Sequence, residues 1–70
     1  MTVQIEELNQ GHWEARVTVA TPAGPRYFSE YGPNRTAALL SLRRSLRAYQ
    51  GDGYRQARAA VLILHFGRGG

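Results

Sequence analysis

The chain has 70 residues and no cysteine, so one small domain has to hold together without disulfides or thiolate-bound metal. Nine arginines face five acids for a formal net charge of +4, and the balance is uneven. Residues 1–34 hold four Glu and two Arg (2 − 4 = −2), whereas residues 35–70 hold seven Arg and one Asp (7 − 1 = +6), a field that draws phosphates or acidic protein surfaces.

The longest apolar run, Ala59 to Leu64, is too short to cross a bilayer, and no basic segment precedes an apolar one as in a leader peptide. A cytoplasmic protein with no membrane partner is the expectation. A domain spanning residues 1–66 and a flexible Gly-rich tail, 67–70, follow from the composition.

In chain order, Val3 to Leu8 alternates apolar and polar residues as far as Glu7, and Asn9-Gln10-Gly11 supplies a turn, which predicts a first strand and a hairpin. From His12 to Ala20, Trp13, Ala15, Val17 and Val19 share one face and His12, Glu14, Arg16 and Thr18 the other, the period-2 pattern of a half-buried strand. Thr21-Pro22-Ala23-Gly24-Pro25 is expected to interrupt pairing because proline has no donor N–H, and Arg26 to Tyr31 resumes as a third strand. Gly32-Pro33 ends it, and Asn34 is placed to cap a helix running to about Gln50, with Leu39, Leu42, Leu46 and Tyr49 on the stripe that meets the sheet. Gly51-Asp52-Gly53 stops that helix.

Residues 54–66 fit two periods. Tyr54, Ala57, Arg58, Val61, Leu62 and His65 match a helical face, while Val61 to Phe66 also reads as a buried strand. Branched Val61 and Ile63, aromatic Phe66 and the following Gly67 favour the strand, giving an α+β fold of order β-β-β-α-β: an antiparallel three-stranded meander, a fourth strand, and one helix packed on one face. The alternative is β-β-β-α-α.

Gly11, Trp13 and Ala15, then Pro22, Gly24 and Pro25, then Thr36, Ala37, Ala38 and Leu39 resemble the pattern of the HicB-like antitoxin domain, over residues 3–66. The resemblance implies a truncated ribonuclease H-like fold and an antitoxin's role. Small phage inhibitor proteins share the same outline. The chain departs from the family's usual acidic helix by carrying Arg43, Arg44 and Arg47, and no separate DNA-binding segment follows. In the ribonuclease H-like order the last strand lies parallel to the first at one sheet edge. Its surplus apolar face then predicts a homodimer, with Val61, Ile63 and His65 at the interface.

Catalysis lacks its parts. Neither the helix nor the last predicted strand holds a carboxylate for a two-metal nuclease, Ser29, Ser41 and Ser45 lack a G-x-S-x-G setting, and His12 and His65 have no orienting acid beside them in sequence. A non-enzymatic module follows, with no cofactor, no metal and no small-molecule substrate expected. Arg43, Arg44 and Arg47 fall within an arc of about 100° beside the leucine stripe, and Arg55 and Arg58 follow the turn. Their planar donor forks suit carboxylate or phosphate, although arginine also favours helices and covers apolar flanks with its stem. With Tyr31 as a contact residue, they predict an inhibitor or antitoxin-like module that binds a partner protein through its sheet and Arg-rich helix flank. Direct, sequence-tolerant RNA or DNA binding through the same arginines is the alternative.

Overall fold

The computed structural model describes residues 2–66; the predicted flexible tail, 67–70, lies outside the described residues. Strands β1 (Val3–Asn9), β2 (His12–Thr21) and β3 (Gly24–Gly32) form an antiparallel sheet in the order β1-β2-β3, followed by helices α1 (Arg35–Leu46) and α2 (Asp52–Phe66). The class is α+β, but the order is β-β-β-α-α, which corrects the expected β-β-β-α-β.

The predicted fourth strand is the second half of α2. Length decides the ambiguity: Val61 to Phe66 is the tail of a 15-residue segment in which Tyr54, Ala57 and Val61 recur at helical spacing and are buried. Ala57, Ala59, Ala60, Leu62 and Leu64 are strong helix formers and Asp52 occupies the first turn, so two β-branched residues do not outweigh the rest.

The strands pair in the register their alternation requires. Val3 faces Val17 and Ile5 faces Ala15, and on the other side Phe28 faces Val17 and Glu30 faces Ala15. Pairing continues closer to the second turn than expected, leaving only Pro22 and Ala23 unpaired between Thr21 and Gly24. The Thr21 hydroxyl closes that turn, accepting from the Ala23 N–H at 3.2 Å and donating to the Gly24 carbonyl at 2.6 Å. Pro25 is tolerated inside β3 because β3 is an edge strand, where a missing donor need face no neighbour.

Both helices cover one face of the sheet. Ala15, Val17 and Val19 of β2 are buried against Ala38, Leu39, Leu42 and Leu46 of α1 and Tyr54, Ala57 and Val61 of α2. Asn34 caps α1 as predicted, its Oδ1 accepting from the Ala37 N–H at 2.8 Å. The helix ends at Leu46, earlier than expected, because 310-type bonds from the Ala48 and Tyr49 N–H groups tighten the last turn. Tyr49 instead stacks on Tyr54, with centroids 5.0 Å apart, and meets the edge of Phe28 at 5.5 Å. Gly51, at φ 130, makes the reversal into α2. Two other glycines set how closely the layers approach. A Cβ on Gly32 would stand 2.6 Å from the Ala38 nitrogen, and one on Gly53 2.0 Å from the Ala20 carbonyl oxygen.

Candidate protein interface

The predicted basic residues divide into engaged and open groups. Arg58, on α2, donates from one guanidinium nitrogen to the carbonyls of Leu46 and Tyr49 at 3.0 and 3.1 Å, adding a charged donor to the carbonyls at and just beyond the C-terminal end of α1. Arg35, at the start of α1, donates to the Leu64 carbonyl at 3.1 Å and ties the other ends of the two helices. The helices therefore form an antiparallel hairpin clasped at both ends by arginine. Arg55 pairs with Asp52 one turn earlier in α2, and Arg26 lies over the rings of Phe28 and Tyr49, 5.9 and 5.6 Å from their centroids.

Arg43, Arg44 and Arg47 remain. Among the described residues no carboxylate reaches salt-bridge distance of any of them. Arg44 and Arg47 are exposed, and Arg43 is half-buried, its Nε sheltered from solvent without a hydrogen-bond partner. Leu40 completes the set, exposed on the same side one turn earlier. The spacing 40, 43, 44, 47 is i, i+3, i+4, i+7, one continuous helix stripe with an apolar head and a cationic tail. Sequence reading missed Leu40, although that spacing was there to find it. Part of this cationic placement also serves α1 itself, since positive charge in its last turn complements the helix dipole.

The remaining predicted residues scatter. Tyr31 lies on the opposite, uncovered face of the sheet. There Glu14 accepts hydrogen bonds from the Ser29 hydroxyl at 3.1 Å and the Tyr31 hydroxyl at 3.2 Å, and Arg16 bridges Glu14 and Glu6 at 3.7 and 3.6 Å. His12 stacks on Tyr31 with centroids 5.5 Å apart. The hydrogen bond to Glu14 and that carboxylate's charge raise the Tyr31 pKa above its ordinary 10.0, because an anionic phenolate there would face a negative acceptor. Val61 is fully buried in the core, His65 is half-buried with Nδ1 lacking a partner, and only Ile63 of the predicted dimer residues is well exposed, at 69%. An interface running through a last strand has no strand to use among the described residues.

A half-open concavity of about 420 Å³ lies over the uncovered sheet face, lined by residues including Gln4, Arg16, Thr18, Tyr27 and Ser29. It is on the far side of the sheet from the arginine stripe. Among the described residues no three His, Cys, Asp or Glu side chains converge as metal ligands, and no helix is long and apolar enough to cross a membrane. The five acids are dispersed: Glu6 and Glu14 on the open sheet face, Glu7 accepting from the Gly11 N–H at the first turn, Glu30 bonded to the Ser45 hydroxyl on the helix side, and Asp52 at the start of α2. No family model matches the chain, and no curated protein or solved structure matches it either.

Proposed function

We propose that the chain is a non-enzymatic binding module that sets the Leu40, Arg43, Arg44 and Arg47 stripe of α1 on an acidic protein surface, in the manner of an antitoxin or inhibitor. The observation that carries this reading is the asymmetry of use among the arginines. Arg35, Arg55 and Arg58 are engaged within the fold, while among the described residues three neighbouring guanidinium groups have no carboxylate within reach. Their layer is also strongly charged: residues 35–66 hold six Arg and one Asp (6 − 1 = +5).

Carboxylates of a partner can take the exposed donor forks of Arg44 and Arg47, and Leu40 gives the contact an apolar element of the kind protein interfaces use. The arrangement suits protein better than nucleic acid. Of the exposed tyrosines, Tyr27 and Tyr31 lie on the opposite face of the sheet from the arginines, and Tyr49, on the helix side, has its ring engaged by Tyr54 and Arg26, so phosphate and base contacts do not share one surface.

A photo-crosslinking residue at Leu40, used in the native host, tests the proposal. Capture of a defined acidic protein, lost when Arg43, Arg44 and Arg47 all become Glu, is the expected result. Binding of unrelated RNA and DNA sequences that weakens steeply with salt and depends on the same arginines, with no protein captured, overturns it in favour of nucleic-acid binding.

A further inference from the structure

The α2 flank above the β1 edge carries a second inference, independent of the arginine stripe. Three strands about 4.8 Å apart are too narrow to underlie two helices each about 10 Å across. One helix must therefore overhang the sheet. It is α2, which starts against Ala20 of β2 and reaches β1 in its second half, where Thr2, Val3, Ala60, Ile63 and Leu64 line an open groove of about 290 Å³. Directly below runs β1, an edge strand whose outward backbone groups have no neighbouring strand among the described residues.

We propose that a second copy of the chain covers this edge, its β1 pairing antiparallel with the first across a two-fold axis at Gln4 to make a six-stranded sheet. That register places Val3 opposite Ile5 of the other copy on the helix side and Gln4 opposite Gln4 on the open side. Thr2 then stands opposite Glu6, so no two like charges face one another. Apolar pairs thus lie beneath the groove, and Ile63, 69% exposed in one copy, gains cover from its counterpart. The other edge is less suited, because Pro25 of β3 cannot donate a hydrogen bond to a neighbour. Pairing at β1 leaves Arg43, Arg44 and Arg47 uncovered in both copies.

Sedimentation of the purified chain over about 1–100 μM, the range in which modest interfaces associate, is expected to give a dimer. The chain has no native cysteine, so a single Gln4→Cys reports the register directly. A residue on the axis meets itself at about 4.5–5.5 Å between Cα atoms, within disulfide reach, and mild oxidation should link most of the protein. Ser29→Cys, on the same open face but on the far edge strand, gives the background. Ile63→Asp should raise the dimer dissociation constant at least tenfold while leaving the circular dichroism of the monomer unchanged. A monomer throughout the range overturns the proposal, as does a dimer that Gln4→Cys fails to link above background or that Ile63→Asp does not weaken. A monomer whose β1 edge instead takes up a foreign extended peptide also overturns it.

Discussion

The two outer surfaces of this molecule treat their charges in opposite ways. On the open sheet face Glu14 accepts from Ser29 and Tyr31 and is bridged by Arg16, which also reaches Glu6, so the polar groups of three strands largely satisfy one another. On α1 three arginines stand without an acid among the described residues. A surface that satisfies itself stabilises the monomer and offers a partner little electrostatic gain. One that leaves donors open adds little to folding and reserves its hydrogen bonds for binding. The number of charged residues does not separate these cases; what each guanidinium touches does.

The largest effect expected from breaking this arrangement lies between the layers. Gly53→Ala places a methyl 2.0 Å from the Ala20 carbonyl oxygen, a backbone group that cannot rotate aside, and forces α2 off β2. Overpacking of this kind costs about 3 kcal/mol or more, the upper end of its usual range. Urea denaturation checks it; a midpoint within error of the parent would mean the helix shifts without loss.

Arg58 comes next and sharpens the division between engaged and open arginines. Arg58→Ala strips the Leu46 and Tyr49 carbonyls of a charged donor and should cost about 2 kcal/mol in the same denaturation, the scale of a charge-assisted hydrogen bond. Arg58→Lys should recover only part, because a single ammonium does not reproduce the planar fork. If Arg58→Ala left stability unchanged but abolished partner binding, Arg58 would belong with the open stripe.

Removing the open arginines together should scarcely move stability. The triple change of Arg43, Arg44 and Arg47 to Ala is expected to stay within about 0.5 kcal/mol per site, because the C-cap hydrogen bonds at Arg47 come from its backbone N–H, which Ala keeps, and Ala is itself a strong helix former. A larger loss would show that the stripe is held for α1's last turn and its dipole rather than for a partner.

The strands and the first helix were legible because each has one dominant period. Trp13 to Val19 alternates without a break, and Asn34 precedes a leucine stripe that the structure buries at Leu39, Leu42 and Leu46. The second helix was not, because Val61 to Leu64 is apolar over a stretch too short to define its own period, and only the fifteen residues as a whole resolve it. The site was half legible for a related reason. Sequence shows that Arg43, Arg44, Arg47, Arg55 and Arg58 cluster, but whether a guanidinium caps a helix or faces solvent depends on contacts such as Arg58 to Leu46, twelve residues apart. In sequence Gly53 is a turn residue, whereas its role in the fold is the close approach of α2 to β2, set by a partner 33 residues earlier (53 − 20).

The smallest expected effect tests whether the sheet face is as self-satisfied as its distances indicate. Tyr31 is held above the ordinary 10.0, first by its hydrogen bond to Glu14 and then by that carboxylate's charge. A raised folded-state value means the folded chain keeps the phenol proton more tightly than the unfolded chain does. The resulting contribution to stability is present below pH 10.0 and is lost as pH rises through the higher folded value. In ultraviolet titration of tyrosinate, subtracting the Tyr31→Phe protein from the parent isolates this group, and its midpoint should lie above that of a free tyrosine. Glu14→Ala removes both leading causes and should bring the midpoint back toward 10.0. A difference curve already centred there in the parent would mean that Glu14 is open to solvent and to partners, and the contrast between the two surfaces would lose its basis.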